Sequence, residues 1–380
     1  MNRLLPLLML GLLISGCSKK QKQLDNEKYI LGDWVKVNTK ADMLQPPFFL
    51  IPGYTFYANH TCDNKSGYFK YINNIALFNN QSGSSATTIY LGSLSKFKIS
   101  ADSIKIFSLE KLKWNSYRII QLSLDSLKLE SSGDVLVYKR LFPIKYKSPQ
   151  FDKIILSSSD CFGPCPISNT IINSDGTIIF KGVSYTSQKG LFTGKISKEQ
   201  YQRLQDNFYK TNIDSLNTKY EAEWTDDQTI TTTFVKNGKI YKTVYDYGRK
   251  APYLFEWAYA PLMYLYQVNS LKEALYPEFM SGSFVTDSKI RKGDSIMELK
   301  QSETFLLFDY LRKGKVYTDN FKPKFKLHKY FDHSLFYDIK TDGRFYTFLV
   351  KGKPITIDIG INFYNVNAKN WQWRKAGEYE

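Results

Sequence analysis

Two cysteines separated by three residues are the most chemically distinctive pattern in this sequence. They are Cys161 and Cys165, in Cys-Phe-Gly-Pro-Cys-Pro. If the chain turns back at Gly-Pro, the two sulfurs meet, so the spacing favours a structural disulfide, although Cys62 leaves other pairings open. A thiol oxidoreductase is the sharper alternative, but such sites usually have two intervening residues and a helix N-terminus that lowers the thiolate pKa. A zinc site has less support, because zinc needs four ligands and no histidine lies near these thiols in the sequence.

A second chemically suggestive pattern is a group of four carboxylates within seven positions, with Trp224 among them. Carboxylate oxygens can hold a hard cation such as Ca²⁺, but the spacing lacks the alternating ligands and central glycine of an EF-hand loop. A solvated connector explains the pattern as well, and adjacent carboxylates do not establish the two groups across a cleft that a glycosidase needs. We therefore predict no cofactor, and we keep as weak metal candidates Glu221, Glu223, Asp226 and Asp227.

Common catalytic motifs are absent from the sequence. It contains no Gly-x-Ser-x-Gly, no His-Glu-x-x-His, no phosphate loop and no Gly-x-Gly-x-x-Gly. His328 and His333 lie five residues apart with Asp332 between them, but a closed metal site needs more ligands and no nucleophile is in view, which favours polar structural histidines. The sequence therefore favours a protein without catalytic activity, and a thiol-redox or hydrolytic enzyme stays as the alternative.

The N-terminus has the pattern of a secretory signal. Arg3 precedes an apolar run from Leu4 to Ile14, which is too short to span a bilayer. The small residues directly before Cys17 resemble the lipobox of bacterial lipoproteins. That resemblance implies removal of residues 1–16 and acylation of Cys17, with chains such as palmitate. Several acyl chains would hold the protein stably at a membrane face, so the lipid bilayer is the first expected partner.

A polar segment carries the chain away from the proposed anchor. Residues 17–28 comprise the lipidated cysteine and a lysine-rich stretch, which predicts a solvated tether. This basic start does not resemble the acidic export signals that follow the lipidated cysteine in some surface-exposed lipoproteins. We therefore expect an outer-membrane lipoprotein of the cell envelope that faces the periplasm.

Residues 29–146 have the pattern of an antiparallel meander. Two near repeats, residues 97–107 and 120–129, each read as strand, Asp-Ser turn, strand. The opening Gly-Asp-Trp strand with Trp34 and the closing Val-Leu-Val-Tyr-Lys-Arg strand resemble the small lipocalin-like domains of bacterial lipoproteins. That resemblance implies a barrel whose mouth can admit an apolar ligand. Trp34 is a binding candidate, although a core plug at the barrel base is the favoured interpretation.

Residues 150–268 combine strands and helices. Asp-Gly and Asn-Gly turns predict two hairpins, Ser197 and Gln200 predict a capping box, and an aromatic helix is predicted from Tyr253 to about Val268. The order of the Cys-Phe-Gly-Pro-Cys-Pro loop, hairpins and helices resembles the uncharacterised domain-of-unknown-function family 6438. This resemblance covers about Asp152 to Val268 and implies no activity.

The remaining region, residues 269–380, is again rich in strand-like segments. Strands are expected at Phe305 to Tyr310, Phe345 to Val350 and Ile355 to Ile359, which are β-branched or aromatic. This region is either an independent domain or is wrapped around the middle one. The expected fold class is mainly β with an α+β middle: a lipocalin-like antiparallel barrel, an α+β domain and a β-rich C-terminal region.

The charge of the chain bears on its partners. The net charge is +16, but the basic residues are spread over all three regions instead of forming one basic face, which argues against nucleic-acid binding. Anionic envelope surfaces are a better match for such a charge. We therefore expect a non-catalytic binding or scaffold protein with an apolar ligand, an envelope protein or a glycan as partner. An immunity or inhibitor protein is the alternative, with an aromatic contact face that includes Tyr253 and Trp257.

Overall fold

The computed structural model describes residues 20–37, 52–72, 87–142, 144, 150–277, 286–331 and 335–377. The described residues form two compact units, one from those between 20 and 72 and between 88 and 144, and the other mainly from those between 150 and 377. The predicted signal sequence and Cys17 lie outside the described residues. Among the residues that are described, no helix is long and apolar enough to cross a membrane.

The first unit is a closed barrel of eight antiparallel strands, arranged in sequence order so that the last strand pairs with the first. This confirms the meander that the alternating pattern predicts. A helix, α1, covers residues 20–29 in the segment expected to be a solvated tether. Its last turn contacts the barrel, because the Asn26 side chain donates hydrogen bonds to the carbonyl oxygens of Ser100 and Ala101. The strands are β1 Gly32–Lys36, β2 Gly53–Phe56, β3 Thr61–Ile72, β4 Thr87–Ile99, β5 Ser103–Ser108, β6 Lys113–Leu122, β7 Ser126–Ser131 and β8 Asp134–Leu141.

The two near repeats of the sequence form corresponding hairpins of the barrel. One joins β4 to β5 and the other joins β6 to β7. At their turns the Ser100 amide donates to the Ser103 carbonyl, and the Ser123 amide donates to the Ser126 carbonyl. The Ser100 and Ser123 hydroxyls accept from the amides of the same two partners, as expected for serine at a turn.

Large apolar side chains fill the core of this barrel. Trp34, Phe56 and Phe97 are buried there, and Cys62 lies among them. Alternate residues of a strand share one face, so each strand contributes every second side chain to the interior. The interior of the barrel is therefore filled by side chains, several of which are aromatic.

The second unit contains two eight-stranded sheets. The first sheet has the order β13-β15-β14-β9-β10-β11-β12-β16, and the second has the order β19-β23-β22-β21-β20-β17-β18-β24. The strands of the first sheet are β9 Lys153–Ser158, β10 Ile167–Asn173, β11 Thr177–Ser184, β12 Gly190–Lys195, β13 Lys219–Glu221, β14 Thr229–Lys236, β15 Lys239–Tyr247 and β16 Lys272–Glu273. Those of the second sheet are β17 Ser288–Lys292, β18 Ser295–Leu299, β19 Lys315–Tyr317, β20 Phe325–Phe331, β21 Leu335–Thr341, β22 Phe345–Val350, β23 Lys353–Asp358 and β24 Arg374–Lys375.

Helices cover the first sheet, and two of them begin or end where the sequence predicts. The capping box is present, since the Gln200 amide donates to Ser197 Oγ at 3.2 Å and the Ser197 amide donates to Gln200 Oε1 at 3.1 Å. The aromatic helix is interrupted by a 3₁₀ segment, Ala260–Tyr264, because Pro261 has no amide hydrogen to continue the α-helical ladder. The remaining helices are α2 Lys198–Tyr209, α3 Tyr253–Tyr259, α4 Leu265–Val268, α5 Gln301–Lys313 and α6 Phe363–Asn367, with further 3₁₀ turns at Ile213–Ser215 and Ala368–Asn370.

One predicted strand is wrong. Phe305 to Tyr310 belongs to α5, whereas Phe345–Val350 and the strand at Lys353–Asp358 form as expected. A short apolar run cannot distinguish a strand from a buried helix by its periodicity. Helix α5 is buried almost all round, and Glu303 at its start accepts a hydrogen bond from the Lys300 amide at 2.8 Å.

The middle and C-terminal regions share one core. Ile155, Ile171 and Ile179 from the first sheet belong to the same buried cluster as Phe305 of α5 and Tyr346 of the second sheet. Of the two arrangements that the sequence leaves open, the structure therefore has the C-terminal region packed with the middle one in a single unit. The mainly β fold class with α+β features is confirmed.

Candidate functional site

Three loops meet where several central strands of the first sheet of the second unit begin or end. In antiparallel neighbours the end of one strand lies beside the start of the next. The loop between β9 and β10 therefore lies beside the loop before β14 and the loop after β15. We call this the disulfide edge and define it as residues 159–166, 222–228 and 248–252.

The Cys161 and Cys165 side chains lie at disulfide distance, as the spacing predicts, with their Cα atoms 5.7 Å apart. The loop between them is tied by its backbone, since the Cys165 amide donates to the Gly163 carbonyl at 2.9 Å. The Phe162 amide donates to the Asp226 carbonyl at 3.0 Å, which joins this loop to the acidic one. The Phe162 side chain is 89% exposed, so a closed loop holds an aromatic ring in solvent.

Gln228, which the sequence analysis missed, fixes both ends of the disulfide loop. Its side-chain Nε2 donates to the Ser159 carbonyl at 2.8 Å and to the Pro166 carbonyl at 2.9 Å. Gln228 is buried, so these bonds replace water for two loop carbonyls. A glutamine directly before a strand gives no sequence signal for such a role, because the role depends on a loop about 60 residues away.

The four predicted carboxylates are not arranged as a metal site. Asp227 accepts from Trp224 Nε1 at 3.1 Å and from the Gln228 amide at 2.7 Å, and Glu221 pairs with Lys219 at 2.6 Å. No group of three or more His, Cys, Asp or Glu side chains in the described part of the chain could hold a metal ion. The acidic loop is ordered by its own turn hydrogen bonds instead, as the connector interpretation expects.

A buried pair of carboxylates lies behind the disulfide edge. Asp246 accepts hydrogen bonds from the amides of Lys250 and Ala251, at 2.7 and 3.0 Å, and from the Tyr259 hydroxyl at 2.8 Å. Glu256 is 3% exposed and lies 3.6 Å from the Arg249 guanidinium. Burial raises the pKa of Glu256 to about 7, and the nearby Asp246 adds to the increase. A single glutamate within an aromatic helix is the signal that sequence reasoning passed over.

The aromatic face predicted on the helix after Pro252 does not form a contact surface. Trp257 is 4% exposed, Phe255 and Tyr259 are also buried, and Tyr253 is half-buried against the Trp257 ring at 5.3 Å. Helix α3 packs on α2 and on the apolar sheet, so its rings complete the core. Of the two residues named for this face, Trp257 is therefore enclosed in the core and Tyr253 is partly exposed.

Trp34 is likewise enclosed and is not available to a ligand. Its side chain is 0% exposed, its Nε1 donates to the Ile30 carbonyl at 2.7 Å, and the Arg140 guanidinium lies over its ring. This agrees with the plug interpretation. The same core holds Cys62, which has no disulfide partner in the described residues. Burial raises the pKa of the Cys62 thiol to about 12.

Of the predicted histidines, His328 lies in β20, and His333 is outside the described residues. Cys161 and Cys165 lie in the loop between two strands, so neither is at a helix N-terminus, which is one of the settings that lower a thiolate pKa. The edge presents one exposed ring on a closed loop, with acidic side chains beside it. Such an arrangement can bind a partner.

Comparison with known proteins adds one match. Residues 152–266 match the family described as Domain of unknown function (DUF6438), which coincides with the segment that contains the disulfide edge. No curated protein and no solved structure matches the chain.

Proposed function

We propose that this chain is a membrane-anchored lipoprotein of the cell envelope that acts as a non-catalytic binding or scaffold protein. Its anchor is acylated Cys17 after removal of residues 1–16, and it faces the periplasm from the outer membrane. The apolar run that ends in two small residues before Cys17 supports the anchor. In this proposal the N-terminal barrel is a lipocalin-like module whose packed interior serves stability, so the contact with a partner lies elsewhere.

The observation that carries the binding function is the exposure of Phe162. A ring that is 89% exposed contributes nothing to the core, yet the loop that carries it is closed by Cys161 and Cys165 and held by Gln228. Aromatic side chains with few rotatable bonds lose little entropy when they are buried in a partner, and they often dominate binding energy. Phe162 is therefore the anchor residue of the proposed interface.

The charge beside Phe162 indicates the chemistry of the partner. Asp160, Glu223 and Asp226 are exposed on the same edge, although the whole chain has a net charge of +16. Lys250 lies 4.5 Å from the centre of the Trp224 ring, so its ammonium is partly engaged. An envelope protein with an apolar pocket flanked by lysine or arginine would complement this edge in shape and sign.

The binding experiment compares two exposed aromatic residues on the same sheet edge. The immobilised full chain is incubated with envelope extract, retained proteins are purified, and their affinities are measured for the wild type, Phe162→Ser and Tyr185→Ser. Tyr185 is 54% exposed on the neighbouring β11–β12 turn, outside the disulfide loop. We expect Phe162→Ser to weaken binding about tenfold or more and Tyr185→Ser to leave it nearly unchanged.

The charge argument has its own readout in the same assay. Association with a basic partner should slow as ionic strength increases, because salt screens attraction between exposed charges. A partner that binds the wild type and Phe162→Ser equally well, or binds independently of salt, would contradict the proposed interface.

The anchor is tested separately in cells. Wild-type protein should incorporate labelled palmitate and fractionate with the outer membrane, whereas Cys17→Ser should lose the label and leave the membrane fraction. If Cys17→Ser incorporated as much palmitate as the wild type, the proposed anchor would be refuted, and the binding proposal would be unaffected.

A further inference from the structure

A row of polar side chains crosses the face of the first sheet that is covered by α5. In the strand register Ser157 of β9 lies opposite Asn169 of β10, and Asn169 lies opposite Lys181 of β11. Directly opposite residues have Cβ atoms about 4.5–5.5 Å apart. Ser157 and Asn169 are fully buried and Lys181 is 6% exposed, so three polar side chains adjoin one another inside the unit.

Helix α5 and Tyr276 pack against this row of side chains. Gln301 of α5 donates from Nε2 to the Ser158 carbonyl at 3.1 Å and to Asn169 Oδ1 at 3.4 Å. The Lys181 ammonium lies 5.0 Å from the ring centres of both Tyr276 and Phe308. The row therefore lies between the sheet and α5, away from the exposed tip of the disulfide edge.

Two polar atoms in the row have no hydrogen-bond partner in the described structure. They are Ser157 Oγ and Asn169 Nδ2. A buried donor that is left unsatisfied destabilises a fold, so each such atom needs an explanation, and a bound group that accepts hydrogen bonds from both atoms is one. Both atoms can donate a hydrogen bond, and the adjoining Lys181 supplies a positive charge. Burial lowers the pKa of Lys181 to about 8, so its amine is still mostly protonated at neutral pH.

We propose that Ser157, Asn169 and Lys181 form an enclosed binding site for a small carboxylate. The two oxygens of a carboxylate accept several hydrogen bonds, which matches a hydroxyl, an amide and an ammonium donor. A phosphate has more oxygens to satisfy and a larger charge than one lysine balances. The site does not use the partner surface at Phe162, because its three residues lie on the sheet face that α5 covers, whereas Phe162 is exposed in the loop at the strand ends.

Acetate is the probe for this site, and thermal unfolding of the full chain is the readout. At constant ionic strength, acetate should raise the melting temperature of the wild type saturably, and chloride should not, because a ligand that binds only the folded state stabilises it. Ser157→Ala and Lys181→Met should each weaken the apparent affinity for acetate about tenfold or more, which is the loss expected for a hydrogen bond to a charged group.

Thr232→Val provides the matched control. Thr232 Oγ1 is also buried without a partner, but its neighbour Thr231 accepts from the Ser302 amide of α5, so Thr232 points to the other face of the sheet. This variant should keep the acetate response. No saturable response in the wild type, as expected if buried water alone satisfies these atoms, would overturn the proposal. An equal response in Ser157→Ala, Lys181→Met and the wild type would overturn it as well.

Discussion

The guanidinium of Arg140 lies over the indole ring of Trp34, 4.4 Å from the ring centre. The same guanidinium donates hydrogen bonds to the carbonyl oxygens of Tyr29, Leu31 and Leu124. Residue 140 is in β8 and residue 34 is in β1, so this contact lies where the barrel closes. One cation therefore covers the buried tryptophan and joins the segment before β1 to the turn between β6 and β7.

Replacing this cation should weaken the barrel. Arg140→Met is expected to lower the free energy of unfolding of the first unit by about 2–4 kcal/mol, because it removes a cation–π contact and charge-assisted hydrogen bonds. Urea unfolding followed by circular dichroism measures the change. Arg118→Met is the control, since the Arg118–Glu130 pair is largely exposed and should contribute at most about 1 kcal/mol. Equal losses in the two variants would contradict the role of Arg140.

Opening the disulfide should affect binding through the loop that carries Phe162. The double variant Cys161→Ser, Cys165→Ser opens a loop of five residues. By the loop-entropy relation, this change is expected to lower the free energy of unfolding by about 2 kcal/mol. Affinity for the partner should fall as well, because Phe162 then has to be ordered on binding. Calorimetric melting and the binding assay measure the two effects, and reduction of the wild type should reproduce both. A variant that keeps full affinity would show that the closed loop is unnecessary.

Glu256 should make the second unit less stable as the pH rises. Its pKa of about 7 when folded lies above the value of about 4.3 for an unfolded glutamate. The folded chain thus holds this proton more tightly, so the stabilisation that the protonated Glu256 gives is complete below pH 4 and is lost between about pH 4.3 and 7. Glu256→Gln should match the wild type near pH 4 and exceed it by up to about 4 kcal/mol at pH 8. Denaturant unfolding at both values tests this, and a difference that is independent of pH would refute it.

Cys62 should be chemically inert in the folded barrel. Its side chain is fully buried, so a reagent cannot reach the sulfur. Its pKa is raised to about 12, so very little reactive thiolate is present at pH 8. In a Cys17→Ser background, iodoacetamide should label Cys62 only after denaturant is added. Mass spectrometry of the tryptic peptide gives the extent of labelling, and rapid labelling of the native protein would contradict the packed interior.

Local sequence signals predicted the parts of this fold that depend on neighbouring residues. The Asp-Ser turns, the Ser197 capping box and the Cys161–Cys165 pair all act within a few positions, and the structure contains each of them. Phe305 to Tyr310 was predicted as a strand because its helical state depends on burial between distant elements.

The candidate sites were harder to predict than the fold for the same reason. Gln228 acts on a loop that precedes it by more than 60 residues, and Ser157, Asn169 and Lys181 become neighbours only through strand pairing. The exposure of Phe162 and the burial of Trp257 are equally tertiary properties. The sequence shows that both residues are aromatic, but residue type alone does not say which ring is exposed to solvent and which is buried in the core.

The shared core of the second unit has a consequence for what can be cut from this chain. The family match ends at residue 266, but the helix that covers one face of its sheet begins at Gln301. A fragment limited to the matched segment would present Ile155, Ile171 and Ile179 to water and would be prone to aggregate. The segment that matches the family is thus shorter than the segment that buries its own core, and an expression fragment needs its boundary beyond the second sheet.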